Sequence, residues 1–171
     1  MEGFGASPIE TMAKEAMLRG EAYLAEFSYS AQFLTGTGTA LGANGTATSP
    51  ININADSDFV AQECNLMAFT AADTPELNPD FLLLLVSAGS GRQLMNQAQH
   101  IMTFCGGFTG TDALQRFAKL PMPLLLPANT QFAVTLTNRS ATAQNFVEIN
   151  FKGFKVYYLR GGNRTNIFHA L

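Results

Sequence analysis

Charge is what this sequence has least of. Only 13% of its 171 residues are Asp, Glu, Lys or Arg, against about 25% in an average globular domain. Lysine and arginine nowhere cluster, so the basic footprint of a nucleic-acid groove is missing and no nucleic-acid partner is expected. There is no tryptophan and there are four tyrosines, a poor supply of ring platforms for binding sugars. Histidine occurs twice, as His100 and His169, and cysteine twice, as Cys64 and Cys105. The longest apolar run, FLLLLV at 81–86, falls far short of the roughly 20 residues that span a bilayer, so no membrane partner is expected. The apolar residues near the N-terminus are interrupted by Glu10, Lys14, Glu15 and Arg19, which does not read as a signal peptide. A soluble protein made in a cytoplasm is the expectation.

What is present is apolar and uncharged-polar. Hydrophobic residues make up 47% of the chain. A chain of this length fits one domain and buries roughly 70% of the surface it exposes when unfolded. With so little charge, Thr, Asn, Gln and Ser must carry much of the surface polarity. Such a surface suits a protein that spends its life packed against others.

The stretch Leu120–Tyr158 organises the reading. Phe132, Val134 and Leu136 alternate with polar residues, and so do Val147, Ile149 and Phe151; a period of two marks half-buried strands. With Asn138, Arg139 and Ser140 as turn residues between them, the two runs read as the core hairpin of a β-sandwich. After Gly153 the apolar set changes phase to Phe154, Val156 and Tyr158, and one extra residue at Lys152–Gly153 would do this, so a β-bulge is predicted there. Prolines 121, 123 and 127 mark an irregular or edge segment.

Upstream, SPIE starts a helix over Pro8–Arg19, with Ser7 as N-cap, Glu10 three residues on and Gly20 as the stop. Strict alternation from Tyr23 to Phe33 predicts a long strand. The Gly/Thr/Asn-rich segment 35–50 reads as loop, followed by strands at Ile51–Asn54 and Phe59–Thr70, the second ambiguous in phase. Phe81–Ser87 reads as a fully buried strand, and Arg92–Asn96 as its return. Short helical turns fit Gln97–Phe104 and Asp112–Lys119. The fold predicted is all-β, an antiparallel β-sandwich, jelly-roll-like, of seven or eight strands with a short N-terminal helix. It divides into a helical arm at 1–21, the sandwich at 22–159 and a tail at 160–171.

Chemical motifs are sparse. GTGTALG places its third glycine one position late for a dinucleotide fingerprint, and no helix pattern follows. Cys105 and His100 would need contact and an orienting third group to act as a nucleophile pair; buried free thiols are the reading for both cysteines, with a disulfide left open. AGSGR around Ser90 lacks the nucleophile elbow. NADSD at 54–58 is the one candidate for a metal, against the plainer reading as an Asx turn. Three sequons, at Asn44, Asn138 and Asn163, would matter only in a secreted chain. No enzymatic activity, cofactor or metal is expected.

FLLLLVSAGSGRQLMNQ, followed by LPMPLLLPANTQFAVTLTNRSATAQNFVEINFKGFKVYY, resembles the small β-sandwich head decoration, or cement, proteins of tailed bacteriophages. The likeness runs over roughly Ile51 to Tyr158. It lies in strand and turn residues: GSGR with Leu94, Met95 and Asn96, the run LPMPLLLPAN, and VTLTN with INFKGFKVYY. The resemblance implies a virion protein on the outer capsid surface that binds the major capsid protein lattice and staples it, and together with the low charge and high apolar fraction it makes a homo-oligomer, a trimer, the expectation. The competing expectations are another virion component, such as a fibre base, tail protein or shell jelly roll, and a carbohydrate-binding jelly roll. The apolar helix stripe Ile9, Met12, Ala16 and Met17, and the tail residues Ile167, Phe168 and Leu171, are the expected interface residues. The sequence leaves open whether they cover the protein's own sandwich or a neighbour.

Overall fold

Ser7 starts the first helix as its neighbours dictate. Its hydroxyl accepts the Glu10 N–H at 3.2 Å, and the Glu10 carboxylate accepts the Ser7 N–H at 2.9 Å, the reciprocal capping box of α1 (Pro8–Leu18). Gly20, at φ +70°, ends it by bonding back to the Met17 carbonyl. The computed structural model describes residues 7–72, 74–76, 79–87, 94–105, 118–159 and 162–168. Within these, eight strands follow α1: β1 (Ala22–Leu34), β2 (Thr46–Asn52), β3 (Asp58–Thr70), β4 (Phe81–Ser87), β5 (Gln99–His100), β6 (Ala118–Leu126), β7 (Gln131–Asn138) and β8 (Gln144–Tyr158). A single helical turn, α2 (Arg164–Ile167), comes after them.

The strands form two four-stranded antiparallel sheets, β1-β8-β3-β6 and β2-β7-β4-β5. Strand one pairs with eight, two with seven, three with six and four with five. That is a long two-stranded ribbon rolled up on itself, the eight-stranded jelly roll. The expected sandwich is therefore present, but the expected hairpin is not. β7 and β8 are consecutive yet lie in opposite sheets, because the apolar sets Phe132–Leu136 and Val147–Phe151 must meet across the same core. Phe132 of β7 and Phe151 of β8 touch edge to face across it, ring centres 6.0 Å apart.

The bulge is also elsewhere. β8 runs in unbroken register along all of β1. The extra residue is Gln62 on β3, since Ala61 faces Gly153 while Glu63 faces Lys152. This explains the ambiguous phase of β3: Phe59 and Ala61 face the core before the bulge, and Cys64, Leu66 and Ala68 after it. The apolar switch in β8 reflects two cores, one on each face of its sheet. Val147, Ile149 and Phe151 face the second sheet. Phe154 and Val156 face outward, where Val60, Ile9, Ala13, Ala16, Ile167 and Phe168 cover them.

Three smaller departures have local causes. β2 starts at Thr46, inside the segment read as loop, because its inward positions are Ala47 and Ser49 as well as Ile51. Its Pro50 is tolerated because β2 is an edge; β6, with Pro121 and Pro123, is likewise an edge. β4 is buried on one face only, through Phe81, Leu83 and Leu85. After Gln97 the chain forms the short β5 and a 3₁₀ turn at Ile101–Thr103. The predicted turn at Asp112–Lys119 falls largely outside the described residues, its last two belonging to β6.

Candidate interaction surfaces

The outward face of the second sheet carries no Asp, Glu, Lys or Arg on β2, β7 or β4. Strand pairing places Thr46, Thr137 and Leu82 in one row, Thr48, Thr135 and Leu84 in the next, and Pro50, Ala133 and Val86 in a third. The polar groups satisfy one another. Thr46 and Thr137 share a hydroxyl hydrogen bond of 2.9 Å, Thr48 and Thr135 one of 2.8 Å, and Gln131 Nε2 donates to Asn52 Oδ1 at 3.0 Å. A polar group already bonded loses little when water is removed, whereas an unpaired one costs about 1–3 kcal/mol. This face is thus suited to burial against a large partner. Among the described residues, charge stands at its rim, where Asp80 meets His100 at 3.3 Å and Arg139 at 3.8 Å. Sequence reading identified the uncharged surface in bulk but not its place. The signal was the repeated T-x-T at 46–48 and 135–137, whose outward side depends on strand pairing.

A second surface lies where β1 and β8 outrun the second sheet. Three of the four tyrosines collect there. Tyr23 and Tyr157 stack with ring centres 4.5 Å apart, and Tyr29 packs on Phe27 at 4.8 Å. Lys155 is buried among them, its Nζ 4.2 Å from the Phe27 ring centre and 3.7 Å from Asp56. Burial by itself would lower the Lys155 pKa; Tyr29 and Asp56 outweigh it and hold the ammonium above the usual lysine range.

Among the described acids, Asp58 is the one that is fully buried. Its carboxylate accepts the Ala128 N–H at 2.6 Å and the Tyr158 hydroxyl, and lies 3.4 Å from Arg164 Nε. Burial pushes the Tyr158 phenol well above the usual tyrosine range, and the bond to Asp58 adds to the effect. The NADSD acids therefore part company. Asp56 turns to Lys155 and Asp58 to Tyr158, on opposite faces of the sheet, so they do not converge on one ion. Among the described residues no three His, Cys, Asp or Glu side chains form a metal-sized cluster.

The other singled-out residues are placed as follows. Cys64 and Cys105 are free thiols in the core, in contact with each other, and burial pushes Cys64 far up. His100 accepts the Met102 N–H on Nδ1, which leaves Nε2 to donate toward Asp80 rather than toward Cys105. Asn138, a sequon residue, is fully buried; its Nδ2 donates to the Gly42 and Thr142 carbonyls and its Oδ1 accepts the Ser140 N–H, so it ties the turn and offers nothing to a glycan. Of the expected interface residues, Ile9, Ala16, Ile167 and Phe168 are buried in the protein's own outer core and Met12 packs against it. Met17 alone is exposed, at 44%. Leu171, His169 and Ser90 lie outside the described residues. A groove of about 370 Å³ opens beside the bulge, lined by Lys14, Glu26, Gln62, Glu63 and Lys152 among others.

No protein-family model matches the chain, and no curated protein matches it. Solved structures with distant likeness include a β-porphyranase of glycoside hydrolase family 86 from the human gut bacterium Bacteroides plebeius: 8% identity, TM-score 0.35, 78% of this chain and 21% of that one. Another is the infectious bursal disease virus VP2 subviral particle, at 11% identity and TM-score 0.30, over 81% of this chain and 37% of that one. A third, from the Gt strain of that virus, has 11% identity and TM-score 0.22, over 82% and 41%. The chain spans less than half the length of each of these proteins, and likeness this slight bears on neither activity nor partner.

Proposed function

We propose that this chain is a structural protein of a virion: a head decoration protein that lays the outer face of its second sheet on assembled major capsid protein and stabilises the shell. The observation that carries this reading is the uncharged, internally hydrogen-bonded face of β2, β7 and β4. It presents leucine, valine and threonine side chains in register and leaves no charge to desolvate. The resemblance of Ile51–Tyr158 to phage cement proteins names the partner. The jelly roll by itself does not choose, because shells, lectins and cupins share it. Against a sugar platform stands the Tyr23–Tyr157 stack, in which each ring spends one face on the other.

A clamp that binds only the assembled lattice shifts the assembly equilibrium by linkage, as any ligand of a native state does. Shells heated with the protein should rupture at a higher temperature than shells without it. Leu84→Lys, which sets an ammonium in the middle of the face, should abolish both binding and the shift while leaving a folded domain. Equal rupture temperatures with and without the wild-type protein would remove the reading; a protein that belongs to the virion but binds no assembled shell is a different virion component.

A further inference from the structure

Three of the four sheet edges carry a device against pairing with another chain. β2 contains Pro50, β6 contains Pro121 and Pro123, and β5 is two residues long. β1 is the exception. Its thirteen residues hold no proline, lysine or arginine, and its register with β8 has no bulge.

The direction of its backbone groups follows from the bonds at its two ends. Leu159 N–H donates to the Glu21 carbonyl at 2.8 Å, and Thr35 N–H to the Asn145 carbonyl at 3.0 Å. Since bonding alternates along an antiparallel pair, the odd-numbered residues of β1 bond to β8. The even-numbered ones from Ala22 to Gln32 turn their N–H and C=O groups, and Leu34 its N–H, to an edge that no described strand covers, while the Leu34 carbonyl accepts the Thr37 N–H and hydroxyl. Exposed apolar side chains gather at the same place. Of the eight large ones described, Tyr23, Phe27 and Leu34 are on β1; Met17 and Leu18 end the helix leading into it, and Leu159 bonds beside it.

We propose that β1 pairs antiparallel with β1 of a second copy of this chain, about a two-fold axis through Ser28. The strand is complementary to itself in that register. Even residues meet even residues, so the outward backbone groups of one copy face those of the other. Leu24 stands opposite Gln32, and Ala22 opposite Leu34. The strand's one charge, Glu26, meets Ser30 and not a second carboxylate. On the other side the exposed Phe27 stands opposite the half-buried Tyr29, an aromatic pair of the kind that stabilises adjoining strands. The result is one sheet continuous across two protomers, an isologous and closed contact. It is independent of the shell reading and uses neither the threonine face nor the groove.

Sedimentation velocity of the full chain at micromolar concentration tests this. The wild type should run as a dimer. Ser28→Pro removes an N–H that β8 does not use, so the protomer should fold and run as a monomer. Ser28→Lys sets two ammonium groups across the axis and should also run as a monomer; its side chain is solvent-exposed in the protomer, so it decides the matter if the proline variant fails to fold. Met122→Lys, on the opposite edge where Met122 is 72% exposed, should remain a dimer. A wild-type monomer, the trimer implied by the phage resemblance, a dimer that survives both Ser28 substitutions, or a monomeric Met122→Lys would each overturn the proposal.

Discussion

Gly153 shows how a single residue serves the whole first sheet. A Cβ built there would lie 1.9 Å from the Val60 carbonyl oxygen, opposite the bulge at Gln62. Only glycine allows the two backbones so close, and the obstacle is main chain, which cannot swing aside. Gly153→Ala should therefore cost about 2–3 kcal/mol, at the upper end of overpacking effects, measured by urea unfolding. Tyr158 makes a pH-dependent contribution. Its folded pKa is raised, first by burial and then by the bond to Asp58. The stability it provides is thus complete below the unfolded tyrosine value of about 10 and is lost as pH rises through the higher folded value. Tyr158→Phe should cost roughly 2 kcal/mol at neutral pH, the worth of a hydrogen bond to a charged group. The gap between the two proteins should narrow in unfolding curves taken above that pH. Lys155, also raised, adds an alkaline loss common to both proteins.

Among the elements, α1 depends on packing more than on its own hydrogen bonds. An eleven-residue helix is marginal alone in water. It holds because Ile9, Ala13 and Ala16 close over Val60, Phe154 and Val156 together with Ile167 and Phe168. Ser7→Ala should remove the cap and cost about 1 kcal/mol. Deleting residues 1–20 should leave the inner core intact but uncover the outer face of the first sheet. The expected outcome is a lower melting temperature and binding of a hydrophobic dye, not an unchanged domain. The start and stop of α1 were legible in Ser7, Pro8, Glu10 and Gly20, because capping is chemistry between residues three or four apart. The surface it covers was not, because the stripe is equally apolar whichever partner it meets.

For the molecule as a whole, the predictions concern its free surfaces. The threonine face should decide shell binding, read by the rupture temperature of shells with wild-type or Leu84→Lys protein. The β1 edge should decide self-association, read by mass. The two are separable because they lie on different sheets.

The chain's own pattern determined that this is an all-β sandwich with one capped helix, since periods of two and 3.6 are written in consecutive residues. It also determined that the surface is short of charge, and that prolines 121 and 123 stand at an edge. Only the tertiary structure decided which strands pair. Phe132–Leu136 and Val147–Phe151 have the same alternation whether they neighbour each other or face each other across a core, and the rolled ribbon selects the second. It likewise decided that the phase change after Gly153 marks a second core, because a strand covered on both faces and a bulged strand give the same local pattern. Which threonines form a continuous face, and which strand keeps an open edge, depend on contacts between residues far apart in the chain, and these exist only once the sheets have closed.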